Sequence, residues 1–262
     1  MIIVRYSEIG TKGRNRGEFE NRLVENIKDC LKKNNVDAEV SKKRGRIFIE
    51  HDKNIPQLAN VFGIHSFSLA ESVETDIEKI KEKAVSMLKK INFKTFRVTT
   101  QRIEKKIAPS NEISAIVGEH IIKKLNKKVE LKDFDVELNI EIADKAYLFT
   151  EKQKAVSGLP LGIEGKVNVL VSDESSLLAA FLIMKRGCNV NLIAFERKNI
   201  DSLKKYAYGQ NLELKIIKKI PNDLPLVVDD TIKNIKDYDA ELVLRPLVAF
   251  SDEEIKQRLK SL

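Results

Sequence analysis

The chain has few of the residues that enzymes use for nucleophilic or metal chemistry. Its 262 residues include two cysteines, three histidines and no tryptophan. Cys30 and Cys188 lie far apart, which excludes a CxxC motif and the usual spacing of a zinc site. Because His51, His65 and His120 all lie in the first half, we expect no Ser/His/Asp triad in the second. The sequence therefore predicts no catalytic residue and no metal site, and we expect both cysteines to be structural or incidental.

Long apolar runs are also missing. No run approaches the roughly 20 residues that a membrane-spanning helix needs. The apolar start at residues 1–5 is too short for the core of a signal peptide. We therefore expect a cytoplasmic protein without a membrane partner, and the length favours two or three compact domains.

Glycine is absent from the turn where a nucleotide-binding fold most needs it. Residues 167–171 have the pattern of a buried strand and residues 177–184 that of a buried helix. A phosphate loop between such elements uses glycine so that backbone N–H groups can close on the anion. Here the turn consists of Ser172, Asp173, Glu174, Ser175 and Ser176. Its carboxylates repel phosphate but suit a helix N-terminus, so we interpret it as a helix cap and a degenerate nucleotide loop.

Positive charge, by contrast, is in excess, with a net charge of +8. Residues 1–50 carry 12 basic and 8 acidic side chains, residues 51–160 carry 19 and 16, and residues 161–262 carry 16 and 15. The first 160 residues are therefore the better candidate for binding a polyanion. A lysine-rich solvated surface with ion-pair networks explains the charge equally well.

Two basic segments are candidates for contacts with phosphate. One is a turn after the first strand, and the other is a loop that runs into a helix N-terminus, where we expect Ser110 to be the N-cap. Cations, free N–H groups and a hydroxyl near one point suit a nucleic-acid backbone. A basic turn alone is equally typical of a solvated surface. The residues that we assign to RNA binding are Lys12, Arg14, Arg16, Arg102, Lys105, Lys106 and Ser110.

Hydrophobic periodicity predicts three structural units. The first 50 residues follow the order strand, helix, strand, strand, which is typical of a small α+β layer. Helices are expected over 55–60, 75–91 and 110–125, and strands over 38–40, 95–100, 136–142 and 147–149. From residue 167 onward, buried strands alternate with helices, including one over 200–208, which favours a parallel, doubly wound sheet.

Several motifs in order along the chain resemble a known family. The segment from Arg5 to Arg16, followed by Phe19-Glu20, matches the pattern RYxEIxxKxxNRxxFE. The segment from Phe96 to Arg102, with Lys105 or Lys106 and Ser110, is similar to a THUMP domain. Further matches are Gly158–Gly162, Lys185-Arg186-Gly187 and Leu244–Leu247. In these motifs the sequence resembles the tRNA 4-thiouridine sulfurtransferases.

The resemblance implies a fold that is α/β and α+β. It comprises an N-terminal ferredoxin-like domain (1–55), a THUMP domain (56–157) and a truncated, Rossmann-like PP-loop domain (163–262). It also implies tRNA as a partner and a homodimer. The family's PP-loop, SGGxDS, has no counterpart in Ser172–Ser176, and Asp252 stands where the family usually has lysine. We expect no rhodanese domain after Leu262.

We therefore expect a tRNA-binding relative that lacks its own ATP chemistry, uses no cofactor and serves a separate catalytic or sulfur-donor subunit. The alternative is an active tRNA 4-thiouridine synthase that uses ATP and Mg²⁺ through an atypical loop. A structural relic without an RNA role is a third hypothesis.

Overall fold

The computed structural model describes residues 1–43, 45–103, 107–260 and 262. The α-helices are α1 (Arg16–Lys33), α2 (Ile77–Leu88), α3 (Ser110–Leu125), α4 (Glu174–Lys185), α5 (Asp201–Lys204) and α6 (Asp252–Leu259). Short 3-10 helices cover Glu8–Thr11, Gly13–Asn15 and Pro56–Asn60. The strands are β1 (Ile2–Arg5), β2 (Val40–Lys43), β3 (Arg46–Ile49), β4 (Ser66–Leu69), β5 (Glu71–Val73), β6 (Thr95–Arg102), β7 (Lys128–Val129), β8 (Val136–Ile142), β9 (Ala146–Phe149), β10 (Gln153–Lys154), β11 (Lys166–Leu170), β12 (Asn189–Ala194), β13 (Leu214–Ile216), β14 (Leu226–Val227) and β15 (Val243–Leu244). Within the described part, no helix is long and apolar enough to cross a membrane.

The chain divides into two compact units. The first comprises residues 1–4, 41–54 and 67–153, and the second comprises residues 5–40, 55–66 and 154–262. Each unit contains segments that are distant in sequence, and the boundaries fall at or near the ends of strands.

The N-terminal sheet has the strand order β10-β4-β1-β3-β2. Strands β1 and β3 run antiparallel and pair Ile2 with Ile49, Ile3 with Phe48 and Val4 with Ile47. These apolar residues are all buried, as their high β-propensity and short runs lead one to expect.

A second sheet in the first unit has the order β5-β9-β8-β6-β7. Strands β6 and β8 are parallel, with Phe96 opposite Val136 and Arg102 opposite Ile142. Helices α2 and α3 pack on this sheet, and their apolar stripes fill its core with Ile80, Leu88, Val117 and Ile121. The predicted strand over 136–142 and helix over 110–125 are confirmed.

The two sheets of the first unit are joined by an apolar cluster and an ion pair. Phe48 packs on Tyr147, with ring centroids 5.1 Å apart. Beside them, Arg46 Nε lies 2.9 Å from the carboxylate of Glu141, and both side chains are largely buried. Arg46 lies on β3 and Glu141 on β8, so this desolvated pair links one sheet to the other, and loss of either partner would leave a buried charge.

The second unit contains the third sheet, with the order β13-β12-β11-β14-β15. Its pairs β11–β12, β11–β14, β12–β13 and β14–β15 are all parallel, so the predicted parallel, doubly wound sheet is confirmed. Strand β11 is central, and the buried face of α4 covers one side of the sheet with Leu178, Ala179 and Met184.

Three details of the predicted elements are wrong. The helix expected over 200–208 is only α5, since the chain turns at Lys205 and buries Tyr206 and Tyr208 outside the helix. The strand expected over 38–40 is β2, two residues further along the chain. Pro109, not Ser110, occupies the N-cap position of α3, and Ser110 is the first helical residue.

Candidate functional site

The candidate site lies at the carboxyl edge of the third sheet. Strand β11 ends at Leu170 and leads into the turn 172–176, within which α4 begins at Glu174. On the other side of β11, strand β14 ends at Val227 and is followed by Asp229 and Asp230. The chain order of the strands reverses between β11 and β14, which is the position where open α/β sheets bind ligands.

The turn 172–176 is closed by its own side chains. Asp173 is the N-cap of α4, and its Oδ1 accepts hydrogen bonds from the backbone N–H groups of Ser175 at 2.8 Å and Ser176 at 3.4 Å. The N–H of Ser172 donates to Ser176 Oγ at 3.2 Å, and Ser176 Oγ donates to the carbonyl of Asp173 at 2.5 Å. The interpretation of this turn as a helix cap is confirmed.

Asp229 completes the site and was missed by the sequence analysis. Ser175 Oγ lies 2.6 Å from Asp173 Oδ1 and also donates to Asp229 Oδ2, while Ser172 Oγ lies 3.4 Å from Asp229. The two carboxylates are 56 positions apart in the chain, so no local pattern joins them. The available signal is the pair Asp229-Asp230 directly after an apolar strand.

The two carboxyl groups differ in their tendency to ionise. Burial acts to raise the pKa of Asp173, but hydrogen bonds from Ser175, Asp229 and the backbone of Ser175 and Ser176 hold the pKa below its usual value. Burial, followed by the proximity of Asp173, raises the pKa of Asp229 above its usual value. The pair therefore retains a proton on Asp229 to a higher pH than a free aspartate does.

Asp230, the next residue, is structural. It is 2% exposed and accepts hydrogen bonds from the backbone N–H of Lys236 at 3.0 Å and from Tyr238 at 2.9 Å. Arg245 Nε lies 3.1 Å from its carboxylate. The guanidinium of Arg245 balances the charge of the Asp230 carboxylate, and the three contacts tie residues 230, 236, 238 and 245 together.

A cavity of about 440 Å³ adjoins the turn. Its lining includes Asp173, Glu174, Lys198, Asn199 and Asp201 beside the apolar Leu177 and Leu259. Lys198 is engaged by Glu196 at 2.6 Å. Carboxylates thus outnumber this paired cation around the cavity, which disfavours a polyphosphate.

The basic segment 12–16 lies in the second unit, between the first strand and α1. Lys12 pairs with Glu164 at 3.2 Å and sits 4.4 Å from the centre of the Phe19 ring. Arg16 donates to Glu20 at 2.8 Å and to the Tyr6 hydroxyl at 2.7 Å. Arg14 is exposed in a 3-10 helix, so it is the residue of this segment best placed to meet a phosphate.

Tyr6, a partner of Arg16, has a raised pKa. Burial and the hydrogen bond to Glu20 raise the pKa of Tyr6 to about 12. The hydrogen bond to Glu20 and then that to Tyr6 raise the pKa of Arg16. The three side chains therefore form a charged, hydrogen-bonded support beneath the basic segment.

The second predicted basic segment lies in the first unit. Arg102, at the end of β6, donates from Nη1 to the carbonyl of Ile107, three residues before α3, at 3.0 Å. Ser110 opens α3 and is half-buried. Lys105 and Lys106 lie outside the described residues.

Both cysteines carry thiols that resist ionisation. Cys30 is buried on α1, and burial raises its pKa to about 12. Burial and then the charge of Glu164 raise the pKa of Cys188, which lies between α4 and β12. Among the described residues, no group of three or more His, Cys, Asp and Glu side chains is arranged to hold a metal ion.

Comparison with known proteins identifies the class first. A model of the ThiI ferredoxin-like domain matches residues 1–68, and a model of the THUMP domain matches residues 74–151. The chain is therefore a THUMP-domain protein with an N-terminal ferredoxin-like domain.

Full-length relatives then identify the family. The chain is 38% identical over 264 residues to a protein named "Probable tRNA sulfurtransferase" from Thermococcus kodakarensis, covering 92% of this chain and 68% of that protein. It is 36% identical over 236 residues to a protein of the same name from Caldanaerobacter subterraneus, covering 83% of this chain and 62% of the relative. The chain belongs to the tRNA sulfurtransferase family, as its motifs predicted, and spans about two thirds of the length of these relatives.

Two solved structures share the fold. The crystal structure of PH1313 from Pyrococcus horikoshii Ot3 superposes with a TM-score of 0.86 at 34% identity and covers 99% of this chain and 98% of that one. The crystal structure of a 4-thiouridine synthetase–RNA complex with bound ATP superposes with a TM-score of 0.79 at 24% identity, covering 99% of this chain and 84% of that one. The predicted combination of a ferredoxin-like domain, a THUMP domain and a Rossmann-like domain is thereby confirmed.

Proposed function

We propose that this protein is a cytoplasmic tRNA-binding member of the family that serves tRNA thiolation without carrying out ATP-dependent chemistry itself. The observation that carries the proposal is the carboxylate of Asp173 at the N-terminus of α4, where a nucleotide phosphate would lie. Support for tRNA binding comes from the names of the relatives, the RNA complex of the 4-thiouridine synthetase and the basic excess in residues 1–160.

The residues of the turn do not fit a triphosphate. Its N–H groups at Ser172, Ser175 and Ser176 are already used by side chains of the turn. Asp173 is extended, with φ −149° and ψ −164°, and the turn contains no residue with positive φ. A phosphate would have to displace the Asp173 carboxylate and then meet the charge of Glu174. Repulsion between like charges in a partly dry site costs on the order of a few kcal/mol.

The thiols do not fit sulfur transfer either. A persulfide carrier works through a thiolate, and thiolates form where cations or a helix N-terminus lower the pKa of the thiol. Here the pKa values of Cys30 and Cys188 are both raised by burial. We therefore assign sulfur delivery and uracil activation to a separate catalytic or sulfur-donor subunit.

A second candidate function is favoured by the cavity beside the turn. An active tRNA 4-thiouridine synthase would need ATP and Mg²⁺, and Mg²⁺ prefers carboxylate oxygens such as those of Asp173 and Asp229. A cavity of about 440 Å³ is also of a size that small ligands occupy. In this alternative, Mg²⁺ offsets the repulsion between the carboxylates and the phosphates.

Measuring tRNA binding with and without Mg·ATP separates the hypotheses. Our proposal predicts that the protein binds tRNA, that its affinity falls steeply with salt, and that ATP changes neither quantity. Release of pyrophosphate in the presence of tRNA would favour the active synthase. Failure to prefer tRNA over an RNA duplex of equal charge would favour a structural relic.

A homodimer is also part of the proposal. Ile232 and Ile235 are 75% and 54% exposed in the loop between Asp230 and Arg245, and the N–H of Ile232 donates to the carbonyl of Val248 at 3.0 Å. An ordered apolar loop in solvent is typical of a surface that another protein covers. Sedimentation of the isolated protein at a mass near 29.8 kDa would contradict the dimer.

A further inference from the structure

One stripe of α1 is bound to backbone groups of two loops in the second unit. Arg22 Nε and Asn26 Nδ2 both donate to the carbonyl of Leu161, at 2.7 and 3.1 Å. Asp29 accepts from the N–H of Gly209 at 2.7 Å, and Lys33 donates to the carbonyl of Ala207 at 2.9 Å. Residues three and four apart lie on one face of a helix, so these four side chains form a continuous polar seam.

The seam is closely packed at Gly209. This glycine has φ +98°, and a Cβ at that position would lie 2.1 Å from Asn26 Oδ1. Asn26 is fully buried, and its Nδ2 is held by Leu161, so its side chain cannot move aside without losing a hydrogen bond. The Asn26 side chain of α1 therefore leaves no room for a side chain at position 209.

Two ion pairs extend the attachment to the segment before α1. Glu8 pairs with Arg186 at 2.7 Å, and Lys12 pairs with Glu164 at 3.2 Å. All four side chains are partly or largely exposed, and exposed pairs contribute little to stability. Their common effect is on position, because they link residues 8–15 to residues 154–262 of the second unit, which carry the third sheet and which we call the parallel-sheet domain.

We propose that the parallel-sheet domain is the rigid support that positions the basic segment 12–16 for RNA. In this role Asn26 and Arg186 are positioning residues, acting through α1 and Glu8 on the presentation of Arg14. The proposal rests on the proposed tRNA binding and adds a task for the domain that does not depend on its nucleotide loop. It explains why the polar seam and the two ion pairs lie on the same domain.

The test compares two glycine variants that carry the same backbone strain. Gly209 and Gly165 both have positive φ, +98° and +96°, but a Cβ on Gly165 meets no atom within 4 Å. Gly209→Ala should disturb the seam, whereas Gly165→Ala serves as the control. We measure tRNA affinity as a function of salt, at a temperature where circular dichroism shows both variants folded.

The slope of the salt dependence distinguishes positioning from simple destabilisation. A partly unfolded variant lowers the active concentration but keeps the slope, whereas loss of a phosphate contact makes the slope of log K against log salt less steep by about one. We expect that loss of slope and a several-fold weaker affinity for Gly209→Ala, with wild-type values for Gly165→Ala. Equal slopes for both folded variants would overturn the proposal.

A second pair of variants covers the case in which Gly209→Ala does not fold. Arg186→Gln removes the partner of Glu8, and Arg197→Gln removes one exposed positive charge elsewhere on the same domain. We expect weaker tRNA binding and a shallower slope for Arg186→Gln only, and equal behaviour of the two would overturn the proposal. If the wild-type protein does not bind tRNA at all, the proposed tRNA-binding function is wrong. If it binds tRNA but the two variants behave equally, only the positioning proposal is wrong.

Discussion

Arg14 and Arg16 are two positions apart and have different surroundings. Arg14 is exposed, whereas Arg16 is held by Glu20 and by Tyr6, whose ring centre lies 5.6 Å from its guanidinium carbon. A basic pentapeptide in the sequence does not reveal this difference, because the partners of Arg16 are a strand-end tyrosine and a helical glutamate. The site assignment for Arg14 is the one that the geometry supports best.

Alanine substitutions should separate these two arginines. We expect Arg14→Ala to weaken tRNA binding and reduce the salt slope by about one while the melting temperature stays unchanged. Arg16→Ala should lower both tRNA affinity and the melting temperature, since Tyr6 and Glu20 lose their shared partner. Filter binding over a salt series and thermal unfolding give the two quantities. Equal losses of stability in both variants would contradict the assignment.

The cysteines can be tested by alkylation. Because the pKa values of both thiols are raised, each thiolate fraction at about pH 8 is below that of a free cysteine. We expect iodoacetamide to leave Cys30 unmodified in the folded protein and to modify Cys188 slowly, with rapid modification of both after unfolding. Mass spectrometry of the peptides reports each site. Rapid alkylation of Cys188 in the folded protein would contradict its raised pKa and make Cys188 a candidate sulfur carrier.

The carboxylate pair predicts an unusual pH dependence. The pKa of Asp229 is higher in the folded protein than in the unfolded chain. The folded protein therefore loses stability as the pH rises from the unfolded pKa to the folded pKa, because the Asp229 carboxyl must ionise in an unfavourable site. Asp229→Asn should therefore raise the melting temperature at about pH 7, and the gain should shrink at about pH 3.5, near the unfolded pKa. Asp237→Asn, at an exposed position, is the matched control. A gain that is independent of pH would contradict the shifted pKa.

At the scale of elements, long periodic segments were predictable and short ones were not. The strand 136–142 and the helix 110–125 show regular periodicity over seven and sixteen residues, and both form as predicted. Strands β5, β7 and β10 contain two or three residues and lie at or near sheet edges, so their backbones pair without an apolar pattern of their own. The link between Asp173 and Asp229 depends on the pairing of β11 with β14, which no local pattern specifies.

The Arg46–Glu141 ion pair, which joins the two sheets of the first unit, offers a test of burial. Glu141, on β8, is 3% exposed in its pair with Arg46, whereas Lys43 and Asp144 form an exposed pair nearby. Glu141→Ala should cost about 3–5 kcal/mol because it leaves the Arg46 charge buried without this partner. Lys43→Ala should cost less than about 1 kcal/mol. Urea unfolding measures both, and similar costs would show that the Arg46–Glu141 pair is not desolvated.

At the scale of the whole molecule, the parallel sheet carries the site where we propose that nucleotide chemistry has been lost. The parallel sheet, its central strand and the helix start are all present, but Asp173 occupies the anion position at the start of α4. The same unit holds the basic segment 12–16 through α1 and two ion pairs. On our proposal, this positioning task gives the domain a role that does not depend on nucleotide binding.

Calorimetric titration of Mg·ATP into the protein–tRNA complex tests the central claim most directly. The titration uses millimolar ATP with Mg²⁺, because the metal can bridge the carboxylates and the phosphates and so offset their repulsion. The account predicts no saturable heat of binding with or without tRNA. A dissociation constant below about 100 µM that weakens on Ser172→Ala would contradict it and make the active synthase the better account.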